Sequence, residues 1–359
     1  MRYFFLFIII FAVSSCEQTE EESVFPQDYG TGLYISTSNG VSFYNDGVIK
    51  NQIYKEVNGV SIGGVNAIKF QNNKAYILTR NILYTANIET FESKGDAGTF
   101  TNAVDFEFVD PENRTFVVDK AASMVNVVDL DLLQITSDVE TGGGGDSTSP
   151  VFIVKSPYGS RAFIMNGGSD TLDDSTIVAI DYKNGLEPLA NIMGSIDVDY
   201  NPNSAVYSGS NLMVLCKGIY NASNLNANTE SSLVRVSAPN NQVLSSTTLS
   251  GIYNANNLIS SNDGSDYYFT AESGVYKMNS DGTGLSRIEL LISDILYYKN
   301  EVYSYYSVLD SVTYFDNRDV LYINDSQAGK NILYKYDIDG SAFLDTIILS
   351  GDVRGLNSY

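Results

Sequence analysis

A unit of two strands joined by a polar turn recurs seven times along this chain of 359 residues. The last copy, "ILYKYDIDGSAFLDTIILSG" from Ile332, alternates apolar and polar residues, turns at Asp-Gly and alternates again. Related copies are "VSFYNDGVIKNQIY" from Val41, "ILYTANIETFESKG" from Ile82 and "MVNVVDLDLLQITSDVETG" from Met124. Alternation with a period of two predicts antiparallel strands, so an all-β fold assembled from repeated units is expected.

Two further strands precede most of these units. The nearer one has a signature such as "KAYILTR" from Lys74, "RTFVVDK" from Arg114 or, in the last unit, "EVYSYYS" from Glu301, and the other is a short segment such as "NAIKF" from Asn66. We name the four strands A to D in chain order. Residues 31–359, divided over seven units, give 47 residues each, and four-stranded propeller blades have about 40–50. The sequence therefore predicts a seven-bladed β-propeller with four antiparallel strands per blade. A β-sandwich is the alternative, but its strands are not expected to repeat in this way.

The two ends of the repeat region predict how the ring closes. The first unit starts directly at strand B, "GLYISTS" from Gly32, with no strand A before it. The final residues "DVRGLNSY" match strand A at Val353 to Leu356. We therefore expect the C-terminal strand to join the N-terminal blade, which removes two exposed sheet edges.

The first residues are typical of an export signal. Residues 1–15 contain a basic Arg2, an apolar run too short to span a bilayer comfortably, and two serines directly before Cys16. This arrangement resembles the lipobox of bacterial lipoproteins, which implies that Cys16 is lipidated and becomes the mature N-terminus. A plain secretory signal with an incidental cysteine is the alternative.

Residues 16–30 follow as an acidic segment, "CEQTEEESVFPQDYG". It has too little apolar content to pack, so it is predicted to be a disordered tether. Its acidic run resembles the surface-export signals of Bacteroidota lipoproteins. The predicted location is therefore the outer membrane, lipid-anchored and facing the cell exterior, with the periplasmic face as the alternative.

Composition argues against several function classes. Asp and Glu number 43 against 21 Lys and Arg, a net charge of -22, so nucleic-acid binding is not expected. Histidine is absent, which excludes a Ser/His/Asp triad and histidine metal ligands. Apart from Cys16, Cys216 is the only cysteine, and it has no basic partner nearby in sequence. "DVDYNPNS" from Asp197 has the alternating oxygens of a calcium loop but lacks its glycine and closing glutamate, so it is interpreted as a D–A turn. No cofactor, metal or enzymatic activity is predicted.

Two blades carry a family resemblance. "RTFVVDKAASMVNVVDLDLLQITSDVETG" from Arg114 resembles the YVTN-type repeat of bacterial seven-bladed propellers, and "RAFIMNGGSDTLDDSTIVAIDYKNGLEP" from Arg161 resembles it with an insertion. The whole chain resembles propeller surface lipoproteins of Bacteroidota, with the outline of quinoproteins but without the tryptophans that quinoprotein dehydrogenases use. The resemblance implies capture of a nutrient beside an outer-membrane transporter, and it supplies no residue-specific ligand motif.

Loop lengths predict which face of the disc binds. In an antiparallel A–D blade, the B–C and D–A connections share one face, which we call the B–C face. The A–B and C–D turns share the other, the A–B face. Long B–C connections are predicted in blade 4 (residues 166–176), blade 5 (217–232) and blade 7 (307–331), and the glycine run 142–145 lies in a D–A connection. Long loops are commonly functional, so the B–C face is the predicted binding face.

Two groups of candidate ligand-binding residues follow from this geometry. The first group holds the polar residues that begin the A strands around the central channel: Asn66, Asn102, Ser149, Asn203, Asn256, Asp294 and Arg354. Arg354 is the best single candidate because it is the lone cation, although such Asn and Ser residues commonly satisfy loop backbone instead. The second group holds the aromatic and basic residues of the predicted insertions: Tyr220, Tyr305, Tyr306, Tyr314, Phe315, Arg318 and Tyr322. A self-packed loop is the alternative for these.

These observations leave three functional hypotheses. The first is a surface propeller that binds a small polar ligand or glycan, such as a corrinoid, a siderophore or a glycan, as an accessory to an outer-membrane transporter. The second is a protein–protein scaffold or adhesin that uses the long B–C loops. The third is a carboxylate-based glycan hydrolase or lyase, for which no carboxylate pair stands out.

Overall fold

The computed structural model describes residues 29–109, 113–142, 148–169, 172–183, 190–221, 224–271, 274–289, 293–307, 312–325 and 331–359. Only the backbone is described for residues 225, 289, 293–295, 302–307 and 312–317. The predicted signal, Cys16 and most of the predicted tether lie outside these ranges. The strands form seven four-stranded antiparallel sheets arranged in a ring, so the prediction of a seven-bladed β-propeller is confirmed.

The first three blades follow the predicted repeat. Strands B to D of blade 1 are β1 (Leu33–Thr37), β2 (Gly40–Asn45) and β3 (Val48–Lys50), and a short helix, α1 (Ile53–Asn58), leads to blade 2. Blade 2 consists of β4 (Val65–Gln71), β5 (Lys74–Thr79), β6 (Leu83–Asn87) and β7 (Ser93–Ala97). Blade 3 consists of β8 (Ala103–Val109), β9 (Arg114–Asp119), β10 (Met124–Asp129) and β11 (Gln134–Glu140).

Blades 4 to 6 have the same order. Blade 4 contains β12 (Pro150–Lys155), β13 (Arg161–Asn166), β14 (Thr176–Asp181) and β15 (Asn191–Asp197). Blade 5 contains β16 (Pro202–Ser208), β17 (Asn211–Cys216), β18 (Ser232–Ser237) and β19 (Gln242–Thr248), with a 3-10 turn, Leu225–Ala227, in its B–C insertion. Blade 6 contains β20 (Asn256–Ser260), β21 (Asp266–Ala271), β22 (Gly274–Asn279) and β23 (Ser286–Glu289).

Blade 7 differs from the prediction in one strand. It contains β24 (Ser293–Ser307), β25 (Val312–Asp325), β26 (Ile332–Asp337) and β27 (Ala342–Ile348). The segment "EVYSYYS" from Glu301 continues strand A, so its assignment as strand B is wrong. Likewise, 307–331 is not a B–C insertion, because residues 312–325 form strand B and pair with strand A. The error has a simple cause, since the continuation of strand A alternates in the same way as a B strand.

The elongated strands of blade 7 form a projecting hairpin. Strand C ends its pairing at Val320↔Asp337, whereas strands A and B continue for eight further register pairs, of which the last seven, Glu301↔Arg318 to Ser307↔Val312, form the projecting part. At roughly 3.3 Å per residue, this part extends about 20 Å. It projects from the A–B face, so the expectation that all long insertions share the B–C face is wrong for blade 7.

The ring is closed as predicted. The last strand, β28 (Val353–Ser358), pairs antiparallel with β1 and is the innermost strand of blade 1. The backbones of Gly32 and Tyr359 exchange hydrogen bonds beside this pairing. Near the start of the described chain, the Tyr29 N–H donates to the carbonyl of Glu89 in the C–D turn of blade 2, so the chain reaches the ring on the A–B face.

Buried apolar side chains fill every seam between neighbouring blades. Seven clusters form among the described residues, and each draws on two adjacent sheets. The cluster between blades 7 and 1, for example, joins Leu33 and Ile35 to Val320 and Leu333. Because every sheet is covered on both sides, the middle strands are largely buried, and β9 is buried along its whole length. No helix in the described part of the chain is long and apolar enough to span a bilayer.

Removal of residues 352–359 is expected to destabilise the whole ring. The deletion leaves the edge of β1 unpaired and removes Val353 from the cluster between blades 7 and 1. Loss of several kcal/mol lowers the melting temperature of a domain this size by more than about 10 °C. Thermal unfolding followed by circular dichroism measures the effect. Asn357→Ala is the graded control, since losing one hydrogen bond to the Ile68 carbonyl costs about 1 kcal/mol. An unchanged melting temperature after deletion contradicts closure by this strand.

Candidate functional site

A cavity of about 400 Å³ lies on the central axis, lined by the A strands of all seven blades. Its lining residues come mainly from the first half of each A strand, so it opens towards the B–C face. Its volume lies in the range of about 300–1,000 Å³ that is usual for small-molecule sites.

A β-bulge near the start of each A strand supplies most of the cavity mouth. The ladder between β28 and β1 skips Arg354, the ladder between β4 and β5 skips Asn66, and the ladder between β16 and β17 skips Asn203. The corresponding bulged residues in blades 3 and 4 are Val104 and Val151. In blade 6 the register skips Asn257 and Leu258, and because Leu258 is buried between blades 5 and 6, we count Asn257. All six line the cavity. Because a bulge redirects a side chain out of the sheet, we call these six the bulge ring.

The bulge ring is polar on two sides and apolar on a third. Arg354 and Asn66 are neighbours on blades 1 and 2, and Asn203 and Asn257 are neighbours on blades 5 and 6. Between them, Val104 and Val151 form an apolar arc on blades 3 and 4. Such a ring suits a ligand that has both hydrogen-bonding edges and an apolar face.

Three of the predicted ring residues line the cavity, namely Arg354, Asn66 and Asn203. Two others do not. Asn102 precedes β8, and its N–H donates to the Asp119 carboxylate at 2.8 Å. Asn256 donates its side-chain amide to the Asn254 carbonyl at 2.7 Å. The next residue, Asn257, lies in the bulge and lines the cavity instead.

The remaining two predicted members do not contribute side chains that can be placed at the mouth. Ser149 is buried just before β12, with a φ of 46°. Asp294 lies in the irregular first part of β24, where only the backbone is described. In blades 3, 4 and 6 the prediction selected a polar residue at the start of the strand, whereas the bulged residue comes one or two positions later.

The aromatic candidates of blade 7 lie on the projecting hairpin, away from the cavity mouth. Tyr305 and Tyr314 are register partners there, and Tyr306 and Phe315 occupy neighbouring positions. Nearer the ring, Arg318 forms an ion pair with Asp337 at 3.5 Å.

Tyr322 and Tyr220 have more local surroundings. The ring of Tyr322 is buried between blades 7 and 1, and its hydroxyl donates to Glu301 at 2.7 Å. Tyr220 is half-buried in the B–C insertion of blade 5, on the predicted face.

Arg354 is held at the mouth by its neighbours on blade 2. Its Nη1 donates to the Asn66 side-chain oxygen at 3.1 Å, and Asn66 in turn donates to the Ala103 carbonyl at 2.7 Å. A Cβ on Gly64 would lie 2.6 Å from the same Nη1. The guanidinium therefore lies directly over a residue that has no side chain, and a hydrogen-bonded chain links blades 1, 2 and 3.

Lys69 neutralises the acidic groups deeper in the cavity wall. Its ammonium lies 3.3 Å from Asp105 and 3.0 Å from Glu107, and it also donates to the Phe106 carbonyl. Burial disfavours the charged ammonium, but the two carboxylates outweigh burial and hold the pKa of Lys69 above its usual value. Burial raises the pKa of Asp105, and Lys69 opposes that shift. Lys69 also lines a shallow depression on the A–B face, so this ion-pair cluster lies between the two openings of the axis.

The B–C insertions of blades 4 and 5 are joined to each other. Asn201, between β15 and β16, donates its amide to Asp173 at 2.7 Å and to the Gly218 carbonyl at 3.0 Å. The calcium-like sequence there forms the predicted D–A turn, and its Asp199 accepts hydrogen bonds from Ser232 and Ser246. Among the described residues, no group of three acidic or cysteine side chains is arranged to hold a metal ion.

The cavity wall offers little that resembles a catalytic centre. Asp105 is the only carboxylate among its described lining residues, and it is paired with Lys69. Cys216 lies away from the cavity, fully buried between blades 4 and 5, and burial raises the pKa of its thiol. An opposed carboxylate pair is therefore not found in the described wall of this cavity.

A second cavity, which sequence reasoning missed, lies between blades 7 and 1 on the A–B face. It has about 440 Å³ and is lined by Lys299, Glu301, Tyr322 and Lys335 together with the C–D turn of blade 1. Glu301 accepts from the Tyr322 hydroxyl at 2.7 Å and forms an ion pair with Lys335. Its charges are thus largely paired within the protein. Its residues come together only because strand A of blade 7 continues past its usual end.

Comparison with known proteins identifies the fold. No family model matches the chain, and no curated protein sequence is significantly similar. A functionally unknown protein from Desulfotomaculum acetoxidans superimposes with a TM-score of 0.64 at 13% identity, covering 92% of this chain and 98% of that one. A Bacteroides uniformis protein, provisionally assigned as a 6-phosphogluconolactonase, has a TM-score of 0.61 at 12% identity, covering 92% and 100%. Kuenenia stuttgartiensis hydrazine synthase has a TM-score of 0.55 at 16% identity, covering 74% of each chain.

At these identities, the similarities establish the propeller fold alone. The similar structures include enzymes as well as a protein of unknown function. One fold can carry many functions, so these comparisons do not decide between binding and catalysis.

Lys69→Met is expected to lower the free energy of unfolding by about 2–4 kcal/mol at pH 7, since it leaves two largely buried carboxylates without their cation. Urea unfolding at pH 7 and pH 5 measures the effect. Burial raises the pKa of Asp105, so as pH falls this carboxylate is the one that takes up a proton, and the difference from the parent protein should shrink. Lys94→Met is the matched control, because its ion pair with Glu92 is exposed and worth less than about 1 kcal/mol. An equal penalty at both pH values contradicts the assigned role.

Proposed function

We propose that this protein is a lipid-anchored cell-surface propeller that binds a polar ligand in its axial cavity, as an accessory to an outer-membrane nutrient transporter. The observation that carries the proposal is the bulge ring, which turns one residue from each of six A strands towards a single cavity. A bulge repeated at the same position in a ring of sheets places side chains on the axis, where a bound molecule can contact several blades at once.

The chemistry of the bulge ring favours an oxygen-rich ligand. Asn66 and Asn203 each donate one amide N–H to a backbone carbonyl, and an amide nitrogen carries a second N–H that can donate to a ligand. The guanidinium of Arg354 can donate as well, while Val104 and Val151 offer an apolar surface. A pyranose ring has hydroxyl edges and an apolar face, so a glycan fits this arrangement well. A cavity of about 400 Å³ accommodates one or two sugar rings, or one polar group of a larger corrinoid or siderophore.

A scaffold or adhesin is the second candidate function, and the hairpin of blade 7 favours it. Its seven outermost register pairs lie beyond the edge of the sheet, so these strand segments have no third strand of their own blade beside them. Exposed strand edges can pair with a strand of another protein. In this reading the contact lies on the A–B face rather than on the long B–C loops.

Filling the axial cavity is expected to abolish ligand binding. Val104→Trp places a large ring at a half-buried position of the bulge ring. Val48→Trp is the matched control, because Val48 is 60% exposed on strand D of blade 1. Isothermal titration with cyanocobalamin, ferric desferrioxamine and soluble oligosaccharides should detect binding of at least one probe by the parent and the control. Val104→Trp should then lose it by more than about tenfold. Binding unaffected by Val104→Trp would place the site elsewhere.

A shortened hairpin separates the two candidate functions. Replacing residues 303–316 by Asn-Gly joins the register partners Val302 and Asn317 through a two-residue turn. A ligand-binding role predicts that this variant keeps full ligand affinity. A scaffold role predicts that it loses its outer-membrane partner in crosslinking from intact cells, while Val104→Trp retains that partner.

Cys16→Ser is expected to release the protein from the membrane. If Cys16 is the lipid attachment site, its removal shifts the protein from the membrane pellet to the soluble fraction and abolishes labelling by radioactive palmitate. Cys216→Ser is the control, because its thiol is buried in the propeller core and should not affect fractionation. Cell-surface protease treatment of the parent protein then distinguishes the exterior from the periplasmic face. Continued membrane association of Cys16→Ser contradicts lipid anchoring.

A further inference from the structure

Among the residues that the structure describes, Arg354 has no carboxylate partner, although the protein is strongly acidic. The chain has 43 Asp and Glu against 21 Lys and Arg, and Lys69, the other cation among the described lining residues of the cavity, uses this excess. Lys69 binds two carboxylates, and Lys277 pairs with Asp266 at 2.9 Å. Among the described residues no acidic side chain lies within ion-pair distance of Arg354, whose one hydrogen bond there goes to the neutral amide of Asn66.

The guanidinium is held in place while most of its donors remain available. Nη1 is fixed by Asn66 and lies over Gly64, where even a methyl group would be too close. Nε and Nη2 donate to no protein group in the described part of the chain. Together they present one edge of a rigid planar fork, which matches the two oxygens of a carboxylate.

We propose, building on the axial site proposed above, that the ligand carries a carboxylate and that Arg354 binds it at the cavity mouth. A single negative charge is the best match, because Arg354 is the one uncompensated cation among the described lining residues, and Lys69 is already neutralised. A polyanion would meet the net charge of -22 without enough local cations to offset it.

The remaining members of the bulge ring narrow the ligand class further. Asn66, Asn203 and Asn257 suit hydroxyl groups, and the arc of Val104 and Val151 suits an apolar ring face. The ligand class is therefore a hydroxylated carboxylic acid. It can come from two sources, an acidic sugar within a glycan or a hydroxycarboxylate of the kind that chelates iron.

Titration calorimetry on purified Cys16→Ser protein tests this with four probes: galacturonic acid, its methyl ester, gluconate and galactose. The acid of the correct source should bind, and the neutral probes should bind at least about tenfold more weakly. Arg354→Gln should weaken binding of the acid by at least about tenfold. Arg354→Lys keeps the charge but loses the planar fork, so it should restore part of the affinity. Arg80→Gln, which removes an exposed arginine of the same face outside the cavity, is the matched control.

The outcomes separate this inference from the proposed function. Equal binding of galacturonic acid and its methyl ester, lost in Val104→Trp, retains the axial site but overturns the carboxylate assignment. The assignment is also overturned if neither acid binds, or if Arg354→Gln binds the acid as tightly as Arg80→Gln does. A melting temperature for each variant within a few degrees of the parent excludes misfolding as the cause of lost binding.

Discussion

The pairing of β28 with β1 is the constraint on which the rest of the molecule depends. A four-stranded blade cannot bury both of its faces alone, so each blade needs two neighbours, and seven blades satisfy that need only as a closed ring. Joining the end of the chain to its beginning provides the closure. It places the cluster of blades 7 and 1 in the same environment as the other six. It also positions Arg354, since the strand that closes the ring carries the cationic member of the bulge ring.

Polar contacts around the axis supplement the apolar seams. Side chains of one A strand donate to backbone carbonyls of the next, as Asn357 does to Ile68 and Asn203 does to Ala255. Lys69 and Asp105 extend the same pattern through blades 2, 3 and 4, because Asp105 also accepts from the Ile153 N–H. The wall of the cavity is thus also the inner framework of the ring. Ligand contacts there are made by groups that the fold already holds in place, which lowers the entropy lost on binding.

Periodicity was sufficient to predict the fold, because strand alternation and a repeat of 47 residues are properties of the sequence itself. It also predicted closure, since "DVRGLNSY" is an A strand without a following B strand. It failed at blade 7, where "EVYSYYS" continues one strand but alternates like the start of another. The pairing of Glu301 with Arg318 across the hairpin shows that this segment belongs to strand A and is not a separate strand B.

The candidate site was predicted in part for a related reason. Arg354, Asn66 and Asn203 were identified because they are polar and begin A strands, whereas Val104 and Val151 gave no such signal. A bulge adds one residue to a strand and leaves no distinctive residue type in the sequence. Its position is therefore visible only in the pairing register between the two strands of the structure. The hydrogen bond from Asn66 to Arg354 joins residues that are distant in sequence, and no local pattern could have indicated it.

The contact between Tyr29 and Glu89 shows on which face of the disc the N-terminal segment reaches the propeller. The chain arrives beside Glu89 on the A–B face, the same face from which the hairpin of blade 7 projects. If Cys16 carries the lipid as we propose, the thirteen peptide links to Tyr29 reach at most about 45 Å. The hairpin would then point down towards the bilayer and span roughly half of that reach, where a membrane-embedded neighbour would meet it first. The mouth of the axial cavity would then face away from the membrane. Ligand capture would occur on the B–C face, and contact with a membrane partner would occur on the opposite A–B face.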